Sequence, residues 1–388
     1  MSKPRSATPT NQPDADHAYA DAITGGLARG RGSQINPGNR FDGIRLHVLG
    51  EFLDEEINEA DGTSTQHKTK VIADATRTII NRVDAPDIPF MWTINPYRGC
   101  EHGCTYCYAR PTHENLGMSC GLDFETKIVA KFDAPDLLRK ELAKSTWACQ
   151  PIVMSGVTDA YQPIERKLRI TRGILEVLTE CKHPISIITK NALIQRDIDL
   201  LSQLAKINAT RVAISLTSLD PHLTMKMEPR TASPKKRLET IRALSDAGVP
   251  VIVMTAPMIP AINDRELPSL LEAAADAGAV GAGYTLVRLP WQVEAIFVDW
   301  LKREFPDRAR HVESLLRQSR NGNVVSSNKG PNKGARMGGE GAFAQIIRDT
   351  FKRFQTKYGL DQTLPKLNTS AFERPFYSGS KHQLGLFG

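Results

Sequence analysis

The chain has 388 residues, 40% of them apolar, which is enough for one large α/β domain with extensions. A net charge of +7 and an isoelectric point near 9.0 permit a polyanionic partner without requiring one. Six cysteines, three of them clustered, make a poor disulfide framework and suit a reducing cytoplasm; no apolar run reaches the length of a membrane span, and the polar start Met1-Ser2-Lys3-Pro4 has no signal-peptide core.

Residues 1–70 read as a largely disordered lead, the first forty rich in Ala, Gly, Asp and Pro with little apolar periodicity. Within it, Arg29-Gly30-Arg31-Gly32 reads as a solvated basic stretch. Residues 71–80 make a short ordered segment, and from residue 88 strands alternate with helices. Strands are expected over 89–95, 152–155, 185–188, 212–216, 251–254 and 284–287, each a short apolar run. Helices are expected over 136–144, 169–181, 197–206, 233–248, 266–277 and 291–305. The clearest helix signals are the stripe Ile170, Ile174, Val177 and Leu178, and the N-cap Ser233 followed by Pro234. Six βα repeats indicate a parallel sheet covered by helices, either open and doubly wound or curved into a partial barrel. In both forms ligands gather beyond the carboxyl ends of the strands.

This core spans residues 71–310. Residues 311–377 form a helical extension. Its Gly-, Asn- and Ser-rich stretch 321–341 reads as a lid or linker, and its amphipathic helix covers 342–358 with Phe343, Ile346, Ile347 and Phe351 on one face. Gly338-Gly339-Glu340-Gly341 lacks the Gly-Lys-Ser/Thr ending of a phosphate loop. Residues 378–388 are a flexible tail.

The stretch Arg98-Gly99-Cys100-Glu101-His102-Gly103-Cys104-Thr105-Tyr106-Cys107-Tyr108 sets three cysteines in C-x3-C-x2-C spacing. Thiolates this close reach one metal centre only if the backbone turns tightly, which Gly99 and Gly103 permit. Three sulfurs are one short of a closed tetrahedral site. A zinc knuckle would complete it with His102 or His113, whereas a [4Fe-4S] cluster would leave its fourth iron open to a ligand from outside the protein. The spacing, with Tyr106 just before the third cysteine, resembles the radical S-adenosylmethionine (SAM) enzymes. The resemblance implies an α/β fold, the partial (β/α)6 TIM-type barrel of the radical SAM core, with the cluster loop after the first strand. It implies a [4Fe-4S] cluster on Cys100, Cys104 and Cys107, with SAM chelated to the open iron. Reductive cleavage of SAM would then yield methionine and a 5′-deoxyadenosyl radical that abstracts a hydrogen atom from the substrate. A reductase such as flavodoxin or ferredoxin is the implied electron donor.

The candidate SAM residues follow the strands. Thr158 and Asp159 suit the amino group of SAM, Lys190 its carboxylate or ribose, and Ser215 and Thr217 offer hydroxyls to a ribose. Taken singly, a Ser or Thr here reads as well as a cap or turn residue. Longer strings resemble the spore photoproduct lyase-like branch of these enzymes. They are residues 95–113, Gly121-Leu122-Asp123-Phe124-Glu125-Thr126-Lys127, Thr158-Asp159-Ala160-Tyr161-Gln162-Pro163-Ile164-Glu165, Met227-Glu228-Pro229-Arg230 and Ala256-Pro257-Met258-Ile259-Pro260. The similarity covers about residues 88–310 and continues more weakly to the end. In the lyase a Ser-Asp pair, a Lys and a Ser hold SAM, matching Thr158 and Asp159, Lys190, and Ser215; Tyr106 and Thr217 join them as cofactor residues. The lyase also carries a hydrogen-donating cysteine just before its Ser-Asp pair, where this chain has Gly156-Val157, so its substrate is not carried over. Cys120, on the long loop after the cluster, and Tyr161 are the candidates to relay a hydrogen atom, while Cys149 and Cys181 read as structural. Glu228 and Arg230 read as an ion pair, and Asn263 with Asp264 as the N-cap of the helix at 266.

Three function classes follow: radical SAM chemistry on nucleic acid, in DNA repair or modification; the same chemistry on a protein or small molecule; and a non-catalytic metal-stabilised binding module. The tail adds a possible partner. Gln383-Leu384-Gly385-Leu386-Phe387 matches, at four of five positions, the Gln-Leu-Ser/Asp-Leu-Phe peptide by which bacterial polymerases and repair proteins bind the DNA sliding clamp. The plainer reading docks Leu384, Leu386 and Phe387 on the protein's own surface. Burying two large side chains is worth about 3–6 kcal/mol before ordering costs, enough for a micromolar tether, although Gly385 adds backbone entropy to be lost. Deleting residues 383–388 is expected to leave SAM cleavage intact and to abolish clamp binding. Calorimetry of the full-length protein that finds no clamp binding at roughly tens of micromolar assigns the tail to the fold instead.

Overall fold

The computed structural model describes residues 28–41, 67–85, 88–320, 322 and 335–377. The clamp-like peptide and most of the 321–341 stretch lie outside the described residues. Ten strands are formed by the described residues: β1 (Lys70–Ala73), β2 (Ile80–Arg82), β3 (Trp92–Ile94), β4 (Tyr97–Arg98), β5 (Lys127–Ala130), β6 (Ile152–Met154), β7 (Ile185–Thr189), β8 (Thr210–Ser215), β9 (Val251–Met258) and β10 (Gly281–Leu286).

β3 and β6 to β10 lie side by side in chain order and pair in parallel, in registers such as Trp92↔Ile152, Ile185↔Thr210 and Val212↔Val251. Parallel neighbours need a crossover each time. Helices Ala134–Leu142, Ile170–Glu180, Ile198–Lys206, Pro234–Asp246 and Leu267–Asp276 supply them. β3 and β10 do not pair with each other, so the expected partial barrel forms and stays open on that side. Short antiparallel β2 covers the outer edge of β3, and Asp361 bridges Gly281 on the outer edge of β10, which leaves neither end as a long free ladder. Along β7, β8 and β9 burial alternates. Ile187, Val212, Ile214 and Val253 pack against the helix residues Ile174, Leu178, Leu201, Leu244 and Leu270, whereas Ser186, Ala213, Ile252 and Met254 are half-buried on the other face. That other face lines the concave side, where a substrate has access.

A second, three-stranded sheet of order β1-β5-β4 has no counterpart in the sequence expectations. β4 pairs antiparallel with β5 through Tyr97↔Ala130 and Arg98↔Val129, closing the long cysteine loop at its base.

The lead is not disordered where it is described. Residues 28–41 form a strap across the cysteine loop, and Arg31 is buried rather than solvated. Its guanidinium donates to Glu125 O (2.8 Å), His67 O (2.7 Å) and Thr69 Oγ1 (3.2 Å). Gly32 N–H and Ser33 N–H both donate to the Glu125 carboxylate, at 3.0 and 2.8 Å. Asn36 Oδ1 accepts from Leu122 and Asp123 N–H, supplying from a distant segment the cap that helix Leu122–Thr126 lacks locally. The polarity of the 121–127 string therefore has a structural purpose: it is the strap's receptor.

The extension is equally well tied in. Helix Gly341–Lys357 buries Ala344, Ile347 and Phe351 and sets Phe351 on Tyr284 at 4.6 Å, but Ile346, expected on the same face, points to solvent. Beyond it the chain passes under the amino ends of the strands. Leu360 O accepts Ala282 N–H, Asn208 O accepts Asn368 N–H, Cys181 O accepts Glu373 N–H, and Trp147 O accepts Arg374. No helix among the described residues is long and apolar enough to cross a membrane.

The strap contact generates a test. A Cβ at Gly32 would lie 1.7 Å from Gly103 O, a backbone atom that cannot swing aside. Gly32→Ala is therefore expected to cost about 1–3 kcal/mol, read as a lower thermal midpoint. An unchanged midpoint would mean that the strap lifts away at no cost.

Candidate metal and cofactor site

Gly99 (φ 78°) and Gly103 (φ 66°) adopt the left-handed backbone that the spacing of the cysteines demands. Cys100 and Cys104 are buried and Cys107 half-buried. Their main chain is anchored on several sides: Cys100 N–H donates to Phe124 O (2.8 Å), Thr105 N–H to Met227 O (3.1 Å), and Cys104 O accepts two bonds from Arg110 at 3.0 and 2.9 Å. Burial first, then Glu228, Cys107 and Cys100 push the Cys104 thiol up, with Lys190 opposing; burial raises Cys107 against Arg110, with Cys100 adding to the rise. Three neighbouring thiols whose thiolate forms repel one another are a donor set that a cationic metal centre would stabilise. They fit an iron–sulfur cluster, in which each thiolate takes its own iron. Among the described residues no three His, Cys, Asp or Glu side chains gather closely enough to chelate a single ion. Nor is His102 a free fourth ligand for zinc, since Asp159 lies 3.4 Å from its Nδ1 and Asn191 3.2 Å from its Nε2. His113 is wholly buried, edge-on to Phe124.

The loop rests on the string that follows β6. Asp159 Oδ1 accepts from Tyr161 N–H and Thr189 Oγ1 (both 2.8 Å), and Oδ2 from Lys190 N–H (2.9 Å). Burial alone would raise the Asp159 acid, but His102 and these N–H groups outweigh it and bring the pKa down to about 2. His102, which burial would lower, is raised to about 10 by Asp159 and Cys100. Both Asp159 oxygens are thus spent within the protein, and Thr158 is spent on Tyr97 O (2.8 Å). Gln162 accepts from Glu101 N–H (2.9 Å) and donates to Gly99 O (3.2 Å); Glu165 takes the Tyr97 hydroxyl and Arg196. The whole string is a brace that sets the cysteine loop on the sheet.

Lys190 differs, because its side chain runs toward the loop. Its Nζ stands 6.0 Å from the Tyr106 ring centroid, and although burial opposes its charge, Cys104, Glu228 and Asp159 together raise its pKa. Tyr106 and Thr217 both donate to Glu228 Oε1, the latter at 3.0 Å, while Arg237 and Thr231 donate to Oε2. Arg237 also donates to Ser215 O (3.0 Å) and Ala232 O (2.8 Å). Burial would raise Glu228, yet Arg237 and Lys190 hold it below the usual carboxylate range. The expected pair of Glu228 with Arg230 is corrected here: Glu228 pairs with Arg237, and Arg230 approaches Glu101 at 3.4 Å. A signal for Arg237 existed, since it shares a helical face with Ile241 and Leu244, where a charge must find a buried partner.

Cys120 is wholly buried beside Ile35 and Ile296, its thiol pushed up to about 12 by burial and Glu114, and Tyr161 is wholly buried in the main core. Asn263 caps nothing with its side chain; it accepts from Ile259 N–H (2.6 Å) and donates to Thr217 O (2.7 Å) and Pro257 O (3.0 Å), stitching the ends of β8 and β9.

The radical SAM superfamily profile matches residues 94–274. An uncharacterised protein of Mycobacterium tuberculosis (strain ATCC 25618 / H37Rv) is 36% identical over 245 residues, 62% of this chain and 72% of its own length. An uncharacterised protein of Methanocaldococcus jannaschii is 31% identical over 201 residues, 51% of this chain and 71% of its own. The chain belongs to the radical SAM superfamily. A structure of spore photoproduct lyase complexed with dinucleoside spore photoproduct has a TM-score of 0.54 at 16% identity, covering 80% of this chain and 92% of that one, and so shares the fold. As a radical SAM protein, the chain uses a [4Fe-4S] cluster and SAM, and its three loop thiols fit the cluster.

Cys104→Ala is expected to lower iron and sulfide content after anaerobic reconstitution and to abolish SAM cleavage, and Cys100→Ala and Cys107→Ala to do the same. Cys120→Ala, Cys149→Ala and Cys181→Ala are expected to keep full iron content. A Cys104→Ala protein with full SAM cleavage would remove the loop from the site.

Proposed function

We propose that this radical SAM protein acts on nucleic acid, in repair or modification of DNA. Cys100, Cys104 and Cys107 would hold the cluster, which with bound SAM would supply radical chemistry for hydrogen abstraction from the substrate. Lys190, directed at Tyr106 and Cys104, is the best candidate to meet the SAM carboxylate. Ser215, Thr217 and Tyr106 form the neighbouring polar wall, held in shape by Glu228 and Arg237. Asp159 acts by holding His102 and the Lys190 backbone in place and by its charge, since its oxygens already carry protein donors.

The observation that carries the nucleic-acid reading is where the positive charge lies. Residues 302–388 hold sixteen Lys and Arg against seven Asp and Glu, while the whole chain holds 50 against 43, so the remainder is slightly acidic. Arg348, Lys352, Arg353 and Lys357 are exposed on helix Gly341–Lys357, and Arg310 and Arg317 on the adjacent helix Ala309–Gln318. A cluster of exposed cations on two adjacent helices is of the kind that meets a phosphate backbone. The lyase with its bound dinucleoside photoproduct supports the reading by analogy. Gly156-Val157, in place of the lyase's donor cysteine, implies a different substrate within that class. Tethering by Gln383, Leu384, Leu386 and Phe387 to a sliding clamp in the cytoplasm, and reduction by a flavodoxin or ferredoxin, complete the proposal.

Anaerobic turnover with dithionite, SAM and a panel of DNA lesions tests it, with 5′-deoxyadenosine as the readout. Faster 5′-deoxyadenosine release with one oligonucleotide than with none is expected. Stimulation by a peptide or small metabolite and by no oligonucleotide would overturn the nucleic-acid assignment in favour of radical chemistry on those substrates.

A further inference from the structure

We propose that Trp291, with Arg40 and Phe41 of the strap, forms a stacking platform for one unpaired base of a nucleic-acid strand at the mouth of the barrel. The inference rests on the nucleic-acid reading above. Trp291 lies five residues beyond the carboxyl end of β10, on the rim beside the cysteine loop; from the same turn, the Arg288 guanidinium stands 5.5 Å from the Tyr108 ring centroid.

Three observations set Trp291 apart from a packing residue. It is 45% exposed, while its neighbours Leu289, Val293 and Phe297 fill the core cluster beneath. Its backbone is left-handed (φ 50°), a conformation that a bulky residue adopts only at a cost, so the ring is held out against a local preference. The Arg40 guanidinium lies 4.0 Å from its ring centroid and 4.8 Å from that of Phe41, itself 62% exposed. Arg40 is not a loose surface cation, because its Nε pairs at 2.8 Å with Glu114, whose side chain is wholly buried. Two exposed rings and one immobilised planar cation thus share one spot on the rim.

A nucleobase with its phosphate uses both parts of this arrangement. Its ring continues the stack, and the guanidinium meets the adjoining phosphate. An acidic peptide would use the arginine but not the rings, and an apolar peptide the rings but not the arginine. Because the guanidinium is already held by Glu114, little of its side-chain entropy is lost on binding.

The test uses the full-length protein and fluorescein-labelled oligothymidylate of about a dozen nucleotides, alongside an abasic sugar–phosphate strand of the same length, followed by anisotropy over a salt series. Base stacking predicts roughly tenfold or tighter binding of the base-bearing strand. Trp291→Ala should erase that difference and leave the salt dependence unchanged, and Trp291→Phe should restore most of it. Arg40→Ala should weaken binding and flatten the salt dependence by about one phosphate contact. Equal binding of the base-bearing and abasic strands by the unaltered protein would overturn the platform while leaving the nucleic-acid reading in place. Binding of neither strand would overturn both.

Discussion

A single buried arginine holds the catalytic loop in shape. Arg110 follows the last loop cysteine by three residues and is wholly buried. Its guanidinium donates to Cys104 O from Nε and Nη2, to Cys120 O and Gly121 O from Nη1, and to Glu125 from Nη2. Both ends of the loop are therefore gathered on one planar group whose donors point in fixed directions. Glu125 in turn receives the two strap N–H groups, so the arginine, the carboxylate and the strap form one unit. Such a pair is tolerable in the interior because it is fully hydrogen-bonded; losing either member typically costs about 3–5 kcal/mol.

A consequence of this construction is that much of the polarity around the loop is structural. Glu101, Gln162, Glu165 and Asp159 each spend their oxygens on backbone or side-chain donors of neighbouring segments. What they deliver is rigidity: the cysteine loop sits on the end of β6 and β7 as a braced plate. The groups directed at the loop from the sheet side are fewer, namely Lys190 and the Tyr106–Glu228–Arg237 chain. Glu228 stays charged because Arg237 and Lys190 flank it, and its charge in turn supports that of Lys190. A cation beside thiolates and a buried carboxylate is a suitable electrostatic setting for a zwitterionic cofactor.

The fold was readable where local signals and burial agree. Apolar runs bounded by polar turns marked all six parallel strands, and the Ser233-Pro234 start was observed with Ser233 Oγ accepting from Lys236 N–H at 3.4 Å. β5 went unseen because Lys127-Ile128-Val129-Ala130 is too short to carry a period and follows directly on a helix. The strap went unseen for a different reason. Residues 28–41 are polar and glycine-containing, which locally looks like disorder, and their order comes from Glu125, Leu122 and Glu114 about 75 to 94 residues away in sequence.

By itself, the sequence determined the strand–helix alternation, the cysteine loop with its two left-handed glycines, and through these the superfamily and its cofactors. These depend on short-range spacing, which the chain carries wherever it goes. Only the tertiary structure decided which polar residues are partners and which remain directed at the site. Asp159 and Thr158, expected as cofactor ligands, also carry hydrogen bonds to neighbouring segments, Cys120 and Tyr161, expected as relays, are wholly buried, and Arg237 rather than Arg230 neutralises Glu228. A hydrogen-bonding group shows its type in the sequence, but its partner is set by which distant backbone arrives beside it, and that is a property of the packed chain alone.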